Sequence, residues 1–118
     1  TPRTYSFYSH LDEILPLNSI IFADIRAAND FYWLVPLFVH RMTVKPNSAF
    51  DQVDRQYTGY SPYPADGLTD DSLPSISSFI EQHPTLSKDY HLYYLTKTVL
   101  ALPLTAQDLD YRLYRLNN

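Results

Sequence analysis

Gly59 and Gly67 are the only glycines in a chain of 118 residues that carries nine prolines. Glycine closes tight hairpins because it enters positive φ without a steric cost. A chain so poor in glycine is badly equipped for a sheet-rich fold. The sequence therefore reads as mainly α, a small helical domain of four to six helices. The alternative is α+β, with one small sheet drawn from residues 18–40.

The C-terminal third carries the clearest helical pattern. Leu92, Leu95, Val99 and Leu102 recur at helical spacing, and Ala106, Leu109, Leu113 and Leu116 repeat it. Each set forms one apolar stripe. Ser87 is placed to cap the first helix, with Asp89 in its first turn, and Thr105 to cap the second, with Asp108 three residues on. Pro103 breaks the chain between them. Arg112 and Arg115 suit the dipole of a last turn. Helices joined so closely fold back on each other, so an antiparallel helical hairpin is expected over residues 88–116.

The N-terminal third divides at Pro16. Phe7, Leu11, Ile14 and Leu15 form a short stripe that ends there. Asn18 or Ser19 then caps a second helical stretch aligned on Ile21, Ile25, Ala28, Tyr32 and Val35. Pro36 kinks it, and Phe38 and Met42 extend the stripe. Under the alternative, residues 20–25 and 31–40 are strands that pair with each other. A further short helix opens with Pro74 in its first turn, passes through Ile76, Phe79 and Ile80 to His83, and stops at Pro84.

Residues 45–73 lack a clear helical period. They hold Pro46, Pro62, Pro64, both glycines, and Asp66, Asp70 and Asp71, with a brief helical hint at Ala49, Phe50 and Val53. The chain length fits one domain, 1–118, and a long loop inside one is commonly functional, disordered or linker-like. Tyr57, Tyr60 and Tyr63 stand three apart here. Polyproline II has three residues per turn, so the three rings would share one face. Tyrosine buries much area at low entropic cost, which suits a partner-binding surface. Equally, the rings can fold back and pin the loop to the body. Tyr93, Tyr94, Tyr111 and Tyr114 form a second aromatic group beside the leucine stripes.

Several function classes lose support. The net charge is −4 and the nine Lys and Arg are scattered, whereas a phosphate backbone needs a basic face; nucleic acid is not the expected partner. Without cysteine there is no disulfide, thiolate metal site or Cys nucleophile, and the redox compartment stays open. The longest apolar run, residues 31–39, is about half a membrane span. No signal-peptide pattern opens the chain. Its first residue is Thr1 rather than Met, so a trimmed, processed or excised form is expected. A soluble chain is expected, with the cytoplasm favoured.

Chemistry is sparse. His10 and Glu13 lie one turn apart, but no third ligand and no His-Glu-x-x-His pattern accompany them. His40 and His83 suit helix ends, and His91 does not share a helix face with Asp89. No Gly-x-Ser-x-Gly turn or glycine-rich phosphate loop is present, and Asp66, Asp70 and Asp71 lack calcium-loop spacing. No catalytic residue, cofactor or metal is expected.

The expected function is a non-enzymatic protein–protein interaction or adaptor domain. It would meet another protein, or itself, through a tyrosine-rich surface centred on Tyr57, Tyr60 and Tyr63. One alternative is a small enzyme or ligand-binding domain with a pocket lined by Tyr, His and Trp33. That reading requires two of His10, His40, His83 and His91 to converge with a carboxylate. The other alternative is a structural domain excised from a larger protein.

Overall fold

A computed structural model describes residues 2–24, 35–44, 68 and 70–117, with backbone alone for residues 2–5 and Pro36. Along the chain run α1 (Pro2–Ile14), β1 (Ser19–Ala23), a π-helical turn (Val35–Val39) and β2 (Met42–Thr43). Then follow α2 (Leu73–Gln82), α3 (Pro84–Asp89), β3 (His91–Thr96), β4 (Leu104–Asp108) and β5 (Tyr111–Arg115). The strands form one five-stranded mixed sheet in the order β2-β1-β3-β5-β4. The mainly helical expectation is overturned, and the architecture is closer to the α+β alternative.

The correction is largest in the C-terminal third, where the expected helical hairpin is three strands. Leu92, Tyr93, Tyr94, Leu95 and Thr96 are all buried. A run apolar on both sides is what a central strand presents. Leu92 and Leu95 do not share a face. Leu95 joins the core beneath α1, and Leu92 joins the core beneath α2. Ser87 lies inside α3 and Thr105 inside β4. The hairpin between β4 and β5 turns through Leu109 and Asp110, with Leu109 at φ 55° and its side chain 64% exposed. A leucine thus occupies a conformation that glycine would take at lower cost. That is why the scarcity of glycine did not prevent a sheet.

In the N-terminal third, α1 forms as expected, with Phe7, Leu11 and Leu15 buried and Ile14 42% exposed. The second helix does not follow it, because Ser19–Ala23 is a strand buried along its whole length. That strand pairs in parallel with β2 and β3. The strand expected at the end of the apolar run is instead the π-helical turn. Ile25, Ala28 and Tyr32 lie outside the described residues, as do residues 45–67 with the glycines and Tyr57, Tyr60 and Tyr63.

The Pro74 helix is present as α2. The N-cap Ser72 Oγ accepts from Ser75 N at 3.4 Å, with a proline in the first turn. Asp70 Oδ1 accepts from Ser72 N at 2.8 Å. Hydrogen bonds from the Ser72 side chain and backbone, then from Ser75, hold the Asp70 carboxyl below its ordinary value.

The sheet separates two cores. On one face Phe7, Tyr8 and Leu11 of α1, Leu15 just after it, and Val35 and Val39 pack over Ile21, Ala23, Tyr93, Leu95 and Leu113. On the other, Ile76, Phe79 and Leu86 of α2 and α3 pack over Ile20, Phe22, Leu92 and Tyr94. The described part of the β1–β2 connection covers the first face. The described part of the connection from β2 to β3, and that from β3 to β4 through Leu100, cover the second.

Candidate interaction surface and cleft

Arg41 joins α1 to the π-helical turn. It follows His40, which sits just past the turn at φ 57°, its N–H donating to Val35 O at 3.0 Å. That is the left-handed position that commonly ends a helix. It directs Arg41, only 3% exposed, under the C-terminal end of α1. Nε donates to Pro16 O at 2.8 Å. Nη1 donates to Asp12 Oδ1 at 2.9 Å, Val39 O at 2.7 Å and His40 O at 3.2 Å. Nη2 donates to Asp12 O at 3.0 Å and Leu15 O at 2.6 Å. Carbonyls left over at the end of α1 are thereby satisfied. Partial burial by itself raises the Asp12 pKa. Hydrogen bonds and charge from His40 and Arg41 outweigh that cost, and the carboxyl titrates below its ordinary value.

Large apolar side chains stand out from the two segments that Arg41 ties together. Leu17 is 84% exposed and Ile14 42%, just after and at the end of α1; Leu37 is 64% and Phe38 37% exposed on the π-helical turn. Val35 and Val39, at its two ends, are fully buried and anchor it. Single exposed leucines are ordinary; here four large exposed apolar residues fall on two segments that Arg41 ties together.

A cleft of about 320 Å³ lies on the same face of the sheet, between α1 and β4. Ser6, Phe7 and His10 line it from one or two turns of α1, and Gln107 and Asp108 from the end of β4. Its β wall is well fixed. The Phe7 and Tyr111 ring centroids are 6.4 Å apart. Lys97 Nζ lies 5.1 Å from the Tyr111 centroid and 3.8 Å from Asp110 Oδ2. Arg112 Nη1 donates to Lys97 O at 2.8 Å and Asp110 O at 2.9 Å. Gln107 Nε2 donates to Leu109 O at 3.2 Å.

The four histidines go to four different settings. His10 lines the cleft. His40 Nδ1 is 3.2 Å from Asp12 Oδ2. His83 Nδ1 donates to Phe79 O at 2.8 Å, with the two rings 4.3 Å apart. His91 Nδ1 accepts from Arg115 Nη2 at 2.9 Å, which puts its proton on Nε2. Among the described residues no two histidines share a partner, and no group of three metal-binding side chains occurs. The convergence required for the catalytic alternative is therefore not found among them.

The second aromatic group is core rather than surface: Tyr93, Tyr94 and Tyr114 are buried. Tyr114 OH accepts from Leu100 N at 3.0 Å and donates to Thr98 O at 3.3 Å, pinning the β3–β4 crossover to the sheet. Tyr57, Tyr60 and Tyr63 lie outside the described residues. Neither the Arg41 lock nor the cleft was legible beforehand. The one available signal was an arginine two residues after a long apolar run.

Among the described residues no helix is long and apolar enough to cross a membrane. Compared with models of known protein families, with curated proteins and with solved structures, the chain has no match.

Proposed function

We propose that the chain is a non-enzymatic protein–protein interaction domain. The observation that carries this reading is the exposure of Ile14, Leu17, Leu37 and Phe38 on two segments held by Arg41, which we take as one apolar surface. A pre-organised apolar surface loses little conformational entropy on binding, which favours association. The partner is another protein chain, a second copy included, with an uncharged apolar face. Outer strand β4 is a poorer docking edge. It follows Pro103 and carries a register shift between Leu104 and Ala106, and both features discourage added strands. The row Tyr57, Tyr60 and Tyr63 enters as a second contact, on spacing and residue type alone.

The test compares wild type with two variants in partner recovery, self-association and melting temperature. One variant is Leu17→Ser/Leu37→Ser/Phe38→Ser; the other replaces Tyr57, Tyr60 and Tyr63 by Ser. Loss of partner or self-association with a nearly unchanged melting temperature is expected for each. Association unaltered in the first variant overturns the patch. A large drop in melting temperature in the second makes the tyrosines internal pins.

A second reading, a small ligand-binding domain, is favoured by one specific observation, the cleft between α1 and β4.

A further inference from the structure

We infer that the partner chain places a carboxylate on Arg115, at the rim of the apolar surface and outside its uncharged face. This deepens the interaction reading and rests on it. The parallel strands β1 and β3 begin at one end of the sheet, and the antiparallel β5 finishes there. The end of α1 joins β1 at the same end through Leu17 and Asn18. Arg115 Nη2 donates to His91 Nδ1 at 2.9 Å, and His91 N donates to Asn18 O at 3.0 Å. Two hydrogen bonds and one peptide link thus lead from Arg115 to Leu17, the most exposed large apolar side chain among the described residues.

Arg115 is left without a counter-charge. Arg41 meets the Asp12 carboxylate, and Arg112 donates to two backbone carbonyls. Ion pairs among the described residues engage Asp12 and Asp110, and none engages Arg115. Its guanidinium is half-buried, and His91 supplies it an acceptor but no negative charge. Nε is buried without an acceptor, a costly state that an incoming acceptor relieves. Nη1 has no acceptor among the described residues and is not buried, so a carboxylate reaches it from solvent. The backbone beneath is fixed. Leu116 N donates to Leu92 O at 2.8 Å, Asn117 Oδ1 accepts from Leu92 N at 2.9 Å, and Asn117 Nδ2 donates to Tyr90 O at 2.9 Å. A planar guanidinium on a held strand matches a carboxylate with two parallel bonds. Arginine beside apolar surface is also a residue on which interfaces concentrate binding energy.

The test is photo-cross-linking in the cells that make the protein, from benzoylphenylalanine at Leu17, in wild type, Arg115→Gln and Arg115→Lys, with melting temperatures measured alongside. Arg115→Gln keeps a donor for His91 and removes the charge; Arg115→Lys keeps the charge. Discrete cross-linked species are expected from wild type. Their yield should fall at least about tenfold in Arg115→Gln, at a nearly unchanged melting temperature, and be partly kept in Arg115→Lys. A yield in Arg115→Gln equal to wild type overturns the carboxylate and leaves the apolar surface standing. An equal loss in both variants also overturns it, because the charge is then not what the partner reads. No cross-link from wild type overturns both.

Discussion

Arg41 reaches six acceptors with five N–H groups, one N–H of Nη1 being shared: four acceptors are on the α1 end and Pro16, and two are Val39 O and His40 O at the end of the π-helical turn. A planar fork with five N–H groups can reach acceptors on two segments at once; a lysine ammonium, with three, cannot. Asp12 belongs to the same lock, and its lowered pKa has a definite sign. A carboxyl depressed on folding contributes stability that is present above its unfolded value and lost as pH falls through the folded one. With an ordinary value of 3.8, the contribution is full at neutral pH and disappears below that value. Asp12→Asn should thus lower the melting temperature at pH 7, and the gap to wild type should narrow as pH falls below 3.8. A gap that stays constant with pH would remove the carboxylate from the account. Little in the sequence foretold this lock, because its acceptors are mostly backbone carbonyls, which carry no residue signature.

At the scale of elements, α1 and α2 were legible and β3 was not. The α2 signals are local: a first-turn proline and a terminating proline act within a few residues, and the structure adds the Ser72 cap. The identity of β3 depends on what lies on both sides of it. The spacing of Leu92 and Leu95 fits one face of a helix, but in the strand the two side chains enter different cores. Short apolar runs carry this ambiguity, and only tertiary context resolves it. Leu109 shows the reverse case, since it fits a core stripe by spacing yet stands exposed at a turn. Leu95→Ala should cost about 2–5 kcal/mol, and Leu109→Ala should stay within about 0.5 kcal/mol, by denaturant unfolding. Similar costs at both positions would contradict the sheet assignment.

For the molecule as a whole, α1 and the π-helical turn cover one face of the sheet, and α2 and α3 cover the other. The apolar patch and the cleft both belong to the α1 side, and Arg41 fixes that layer's outer end. Of this arrangement the sequence disclosed α1, α2 and an apolar run too short to span a bilayer. Strand order and the meeting of α1 with β4 were hidden, since both depend on contacts far apart along the chain. The tyrosine row, first by spacing and composition, remains a proposal beside the patch.

Site-specific photo-cross-linking in the cells that make the protein tests the interaction surface most directly. A benzoylphenylalanine is placed at Leu17 or Leu37 on the patch, or at the exposed Ser77 of α2 on the opposite layer. The account predicts discrete cross-linked species from positions 17 and 37 and none from 77. Patch positions that cross-link no more than position 77 would contradict it.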